Sequence, residues 1–342
     1  MNLEGQNLES LRRMIRHLQE ENKELKELLK KSHISFNDSK EEMTTESIDE
    51  DAYIKDVYIS DKLAAYFLTL FQGRRDVYAL RGAKGGYFPQ CFNRWKDHCP
   101  KQNKKKMSCQ ECPYREWKKL DREVGKRHLL GYKDNCTDVI GLYPLLEDDT
   151  CKLLVFDFDN HDEENSENND WKDEIDAIRK ICHENGIDVL IERSRSGNGA
   201  HAWILFKEFV PASLAREFGL LLIEKGAQSI NLKSFRYYDR MFPTQDHSDG
   251  LGNLVALPLQ GQALRQGNSA FVDENWNAYY DQWKLLSKVH QLTKSEIEEY
   301  IYKWKEELLI PQGLLIIADQ GKRVKPWKKD ENFLLSLQMA YM

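Results

Sequence analysis

The run Cys151-Lys-Leu-Leu-Val-Phe-Asp157-Phe-Asp159 constrains this chain more than any other stretch. Its apolar and aromatic content predicts a buried strand. Successive side chains of a strand point to opposite faces. Asp157 and Asp159 therefore share one face, roughly 7 Å apart at Cβ, and Phe156 and Phe158 anchor the other. Neighbouring carboxylates repel each other and lose hydration, which a fold tolerates best with a cation between them. Two-metal phosphoryl-transfer sites need such a pair, because their ions lie about 4 Å apart and share bridging oxygens. An exposed acidic strand end is the plainer reading, and other residues have to decide.

At 342 residues the chain has room for one large domain or two ordinary ones. No run reaches the roughly 18 consecutive apolar residues of a membrane span. The first residues are charged and amphipathic and lack a signal-peptide core, so a cytoplasmic protein is expected. Seven cysteines suit that compartment as thiols or metal ligands. A net charge of −6 argues against a uniformly basic DNA-coating protein. The distribution says more: Arg94 to Lys133 holds thirteen Lys/Arg against five Asp/Glu, and Glu147 to Asp176 holds thirteen Asp/Glu against two Lys. Either block alone reads as solvated surface.

Residues 1–30 carry a heptad, with Leu8, Ile15, Asn22 and Leu29 at a and Leu11, Leu18 and Leu25 at d. Leu at d with one Asn at a predicts a parallel two-stranded coiled coil, joining a second copy or a partner protein. An amphipathic helix docked on its own domain is the alternative. Residues 31–51 are polar and aperiodic and read as a linker. From 52 to 290, helical and extended patterns mix in the order of an α/β or α+β domain. Helices are expected over Asp61–Phe71, Trp171–Asn185 and Pro211–Lys225, and strands over Val77–Leu80, Asp188–Glu192, Ala200–Phe206 and Asn253–Leu259. The remainder, 291–342, reads as a helical C-terminal segment.

Three further patterns bear on chemistry. Ser194-Arg-Ser-Gly-Asn-Gly-Ala-His201 lies between two predicted strands. Glycine-rich turns present N–H groups to anions, Ser196 adds a hydroxyl, and Arg193 and Arg195 add positive charge. His201 at the exit can donate to a phosphate oxygen, whereas an ordinary turn needs neither His nor flanking Arg. Tyr238-Asp-Arg-Met-Phe-Pro-Thr-Gln-Asp246 offers Asp239 or Asp246 as a third carboxylate, although such a segment taken alone is more often a surface turn. Cys91, Cys99, Cys109 and Cys112 fall within 22 residues, the last two at zinc-knuckle spacing. Scattered free thiols are the alternative. The same loop carries Lys104, Lys105 and Lys106, which suggests contact with a nucleic-acid backbone.

The order hhhDhD, Ser-x-Gly-x-Gly-x-His, then a later hydrophobic-Asp resembles the three motifs of the archaeo-eukaryotic primase superfamily. It is most similar to the primase–polymerase domain of TOTE conflict systems. Supporting stretches are Cys91-x-Asn-Arg-Trp95, His128-Leu-Leu-Gly131, Ile140-Gly-Leu-Tyr-Pro-Leu-Leu146, Glu192 to Trp203, Phe242-Pro-Thr-Gln-Asp246 and Gly252 to Gln260, all within about residues 75 to 285. The resemblance implies a primase-like α/β fold with an RRM-like catalytic sheet and a zinc-binding insertion at about 88–115. It implies that Asp157 and Asp159 bind two Mg²⁺ or Mn²⁺ ions, with Asp239 as the preferred third ligand and Asp246 as the alternative. Ser196 and His201 would hold a nucleoside triphosphate, with Arg193, Arg195, Gly199 and Asn253 in the substrate site. Cys91, Cys99, Cys109 and Cys112 would hold structural Zn²⁺. Helicase and nuclease motifs of the full systems do not follow in this sequence.

The expected function is thus DNA-directed nucleotidyl transfer on single-stranded or primed DNA. Two other classes use the same features. A metal-dependent nuclease would cut without triphosphates, and an idle DNA-binding adaptor would bind DNA but neither triphosphate nor metal.

Overall fold

In the computed structural model, the strand expected around Asp157 runs over Thr150–Asp159 and sits next to the centre of a sheet. The structure describes residues 54–103, 107–160, 170–229 and 235–307, with His17, Glu20, Lys23 and Glu24 as isolated helical positions. The heptad as a whole, the 31–51 linker, Lys104–Lys106 and residues 308–342 lie outside the described residues. The chain divides into two units, Met1–Tyr58 and Ile59–Met342. The second contains every element below.

In chain order these are α1 (Asp61–Leu70), β1 (Ala79–Arg81), β2 (Tyr87–Pro89), α2 (Arg122–Leu130), β3 (Ile140–Leu142), β4 (Thr150–Asp159), α3 (Asp170–Glu184), β5 (Leu190–Arg193), β6 (Gly199–Pro211), α4 (Ala212–Ser229), β7 (Tyr238–Phe242), β8 (Val255–Ala256), α5 (Gly261–Leu264), β9 (Ala270–Phe271), α6 (Gln282–Leu286) and α7 (Lys294–Glu307). They form a mixed α/β fold. One antiparallel sheet has the order β2-β1-β3-β8 and the other β7-β4-β6-β5-β9. Among the described residues no helix is long and apolar enough to cross a membrane.

The two faces of β4 serve two cores. Leu154, Phe156 and Phe158 pack with α3, α4 and α7 through Ile175, Phe218 and Trp304. Leu153 and Val155 pack the other way, with Ile140 and Leu142 of β3, Phe67 of α1 and Trp203 of β6. Helix α7, which the sequence placed in a separate C-terminal segment, buries Ile297, Ile301 and Trp304 in the first core. Trp304 stacks on Phe218 at 5.6 Å between ring centroids.

The segment 238–246, which reads more readily as a surface turn, instead begins as the edge strand β7. Met241 and Phe242 are buried and pair with Phe156 and Val155. Burial of those two side chains on the end of the sheet overrides the turn-forming Asp, Pro and Thr around them.

Buried His128 joins α2 to the first sheet. Its Nδ1 accepts from the Ile140 N–H at 3.2 Å, so Nε2 carries the proton and donates to the Pro258 carbonyl at 2.8 Å. Burial pushes its pKa down to about 4, against weaker opposing effects of Pro258 and Asp138. The unfolded chain takes up this proton near pH 6.5 and the folded protein only near 4. Its contribution is therefore complete above pH 6.5 and is lost as the pH falls toward 4, on the order of 3 kcal/mol in total. Melting of wild type and His128→Gln at pH 7 and at pH 4.5 checks this. The wild type should be clearly more stable at pH 7, and the gap should narrow at pH 4.5.

Candidate active site

Antiparallel register lines up one row of polar side chains across the second sheet. Arg240 of β7 pairs with Asp157 of β4, Asp157 with His201 of β6, and His201 with Glu192 of β5. One step along each strand's alternation, the same face carries Phe242, Val155, Trp203 and Leu190 of the inter-sheet core. The polar row thus stands where that apolar face ends.

His201 sits between two carboxylates. Its Nε2 is 3.3 Å from Asp157 Oδ1 and its Nδ1 is 2.9 Å from Glu192 Oε2. Glu192 is only 2% exposed, and it also accepts from Trp203 Nε1 at 2.9 Å and Ser269 Oγ at 3.1 Å. Burial alone would strip the proton from His201, but the charges of Glu192 and Asp157 outweigh it and hold the pKa well above the usual imidazole range. The row therefore alternates in sign: guanidinium, carboxylate, imidazolium, carboxylate.

A register shift between Asp157 and Phe158 leaves Asp239 as an extra residue on β7, a β-bulge. The Asp239 carboxylate accepts from Arg240 Nε at 2.7 Å and lies 2.6 Å from its Nη2. That bond raises the Arg240 pKa, and the charges of Asp239, Asp157 and Asp159 add to it against the cost of burial. Arg240 is thus ion-paired with Asp239 and pairs across strands with Asp157. Asp246 is committed elsewhere, 2.6 Å from Arg216 Nε on α4.

Asp159 pairs with Gly199, where a Cβ would come within 2.3 Å of the Phe158 carbonyl oxygen and 2.8 Å of Asp159 Oδ1. The turn preceding Gly199 is closed by Ser194 N–H to Gly199 O at 2.8 Å and Gly197 N–H to Ser194 O at 3.0 Å. Ser196 is exposed, with its hydroxyl 3.1 Å from that of Ser194. The two arginines diverge. Arg193 donates to the carbonyls of Gly267, at 2.9 Å, and Trp276, inside the fold. Arg195 lies beside the Cys136 thiol and Tyr87 of β2. Asn253, in the loop before β8, donates to Thr244 Oγ1 at 2.6 Å.

Cys91, Cys99, Cys109 and Cys112 are free thiols lining one cavity of about 240 Å³. Cys91 Sγ accepts from the N–H groups of Asn93 and Glu116, both at 3.3 Å. Burial disfavours the Cys99 thiolate, but backbone donors from Gln102, Trp95 and Lys101 and the charge of Arg94 bring its pKa below the ordinary thiol value. Burial raises that of Cys109. Among the described residues no three His, Cys, Asp or Glu close on one point tightly enough to hold an ion. The donor types, taken apart from their spacing, are those that the expected ions accept. Carboxylate oxygens suit Mg²⁺ or Mn²⁺, and N–H-supported thiolates suit Zn²⁺.

Residues 62–300 match the model of the TOTE conflict system archaeo-eukaryotic primase domain. The chain belongs to that family. A solved polymerase domain of Mycobacterium tuberculosis Ligase D, in complex with DNA, is 13% identical over 72% of this chain and 86% of that one, with a TM-score of 0.33. No curated protein matches.

Two residues of the primase domain's polar row, Glu192 and Arg240, were not singled out from the sequence. Glu192 had a signal, since it closes the apolar run Val189-Leu-Ile and a strand that buries its apolar side chains can bury it too. Arg240 had none, because only the pairing of β7 with β4 brings it to Asp157. Gly199→Ala should lower the melting temperature by several degrees and displace the Asp159 carboxylate, since the added methyl meets backbone rather than a yielding side-chain end. A thermal melt together with a Mn²⁺ titration reads both effects.

Proposed function

We propose that this primase-family chain is a DNA-directed primase–polymerase. The 3′-hydroxyl of a primer or initiating nucleotide attacks the α-phosphorus of a nucleoside triphosphate paired to a DNA template, and pyrophosphate leaves. The observation that carries the reading is the adjacency of Asp157, Asp159 and the Asp239 bulge on the paired strands β4 and β7, beside His201 and the Ser194–Gly199 turn.

Asp157, Asp159 and Asp239 would hold two divalent ions. Bound there, Mg²⁺ or Mn²⁺ would lower the hydroxyl's pKa and offset the charge that develops on the leaving phosphates. Asp246, tied to α4, keeps the loop after β7 in place. Glu192 fixes the ring of His201 and keeps it protonated. The imidazolium thereby orients Asp157 and offers positive charge to a triphosphate. Exposed Ser196, the N–H groups of its turn, and Arg195 complete the anion contacts. Arg193, whose guanidinium is spent on Gly267 and Trp276, supports that turn from behind. Asn253, hydrogen-bonded to Thr244 in the loop after β7, would contribute to substrate binding. Zn²⁺ would be held by Cys91, Cys99, Cys109 and Cys112. The heptad over 8–29 would join a second copy or a partner protein.

The test is extension of a labelled primer on single-stranded DNA with Mn²⁺ and ribo- or deoxynucleotides. Loss of metal charge stabilisation costs several kcal/mol. Asp157→Asn/Asp159→Asn should therefore reduce synthesis at least about a thousandfold with the fold intact. DNA cleavage without triphosphates would favour a nuclease instead, and product formation by the double variant at the wild-type rate would refute the assignment.

Arg240 competes with metal for Asp239. Solvent-accessible ion pairs are worth up to about 1 kcal/mol, and this one is half-buried. Arg240→Gln should accordingly bind Mn²⁺ about twofold to fivefold more tightly in the absence of nucleotide, as read by electron paramagnetic resonance titration.

A further inference from the structure

The Cys91-x-Asn-Arg-Trp95 motif has more in it than a thiol. Four of the ten exposed large apolar side chains among the described residues fall between Phe88 and Tyr114: Phe88 at 43%, Phe92 at 55%, Trp95 at 60% and Tyr114 at 54%. Phe88, Trp95 and Tyr114 border the same concavity as the four cysteines, together with Arg94. The Arg94 guanidinium lies 4.8 Å from the Phe88 ring centroid and 5.0 Å from that of Trp95. Lys118 Nζ lies 5.3 Å from the ring of Phe92. Rings and cations are thus interleaved on one small module.

Trp95 carries a second signal. Its backbone is left-handed, with φ at 68°. For a bulky residue this conformation is strained, and glycine would adopt it freely. The chain holds an indole at an unfavourable position and leaves most of it in solvent, so the benefit does not come from packing within the domain.

We propose that Phe88, Trp95 and Tyr114, with Arg94 between the first two, form a stacking platform for single-stranded template DNA. This deepens the primase–polymerase reading and rests on it for the identity of the strand. The chemistry selects the partner. Aromatic and arginine side chains serve protein interfaces as well, but those interfaces are depleted of lysine, and this module sets Lys118 against the ring of Phe92. Single strands offer flat apolar bases and an anionic backbone together, and sites for them combine aromatic faces with basic grooves. Duplex DNA hides its base faces. From Arg94 to Lys133 the sequence is strongly basic even with Lys104 to Lys106 set aside, at ten Lys/Arg against five Asp/Glu.

The experiment is fluorescence anisotropy of the full chain with a labelled 20-nucleotide oligo-dT and with a duplex of equal length, at three salt concentrations. Trp95→Gly relieves the backbone, so it should melt no lower than wild type. It should nevertheless bind the single strand between about fivefold and a hundredfold more weakly, with the salt dependence and duplex binding unchanged. Phe88→Ala should behave alike toward the oligonucleotide. Arg94→Ala should weaken binding and also flatten the salt slope by about 0.7. Single-strand binding within twofold of wild type in a Phe88→Ala/Trp95→Gly double variant would overturn the platform. So would an equal loss on duplex, or an effect of the double variant confined to self-association in sedimentation. Synthesis by the wild type is measured on the same preparation. Aromatic-dependent binding without synthesis would sink the catalytic reading and leave the platform standing. Synthesis with binding indifferent to the rings would do the reverse.

Discussion

Burying a carboxylate next to an imidazole is the constraint around which this domain is arranged. Glu192 is almost fully inside, and an unpaired charge there would cost several kcal/mol. It is tolerated because Trp203, Ser269 and His201 donate to it from two sides. The proton it holds on His201 then faces Asp157, and Asp157 faces Arg240. Each charge is compensated by the next, and removing His201 would leave buried Glu192 with only neutral donors.

That row depends on two ordinary properties of sheets. Alternation places every second residue of β4 and β6 on one face, and antiparallel register sets which residues meet across strands. The row lies one step beyond Phe242, Val155, Trp203 and Leu190, which are locked into the inter-sheet core. A slip of one residue would turn all of these side chains over and drive Asp157 into the helix-covered core. Packing of large apolar residues therefore aligns polar groups that have little reason of their own to assemble. The bulge sets the Asp239 carboxylate at the sheet edge, where an extra residue is cheapest.

Much of this was legible before any coordinates. The alternation of Phe156 and Phe158 with Asp157 and Asp159, the helix carrying Ile175 and Ile178, and the glycine turn running into a His-bearing strand follow from local pattern and geometry. The segment at Tyr238–Phe242 did not announce itself as a strand, because its turn-forming neighbours outweigh five residues whose pairing partner is remote in sequence. Arg193 and Arg195 looked equivalent, two positions apart in one motif. In the fold one caps carbonyls in the interior and the other reaches toward the first sheet.

The sequence by itself determined the family, the alternation of β4, the donor types and the charge imbalance of the cysteine loop, since these depend on residue identity and spacing over short distances. Only the tertiary structure decided that Glu192 stands behind His201, that Arg240 pairs with Asp157 across strands and bonds Asp239, and that Asp246 bonds Arg216. Those relations arise from strands separated by tens of residues. Their register is set by how buried side chains fill the space between sheets and helices, a property of the packed chain rather than of any local segment.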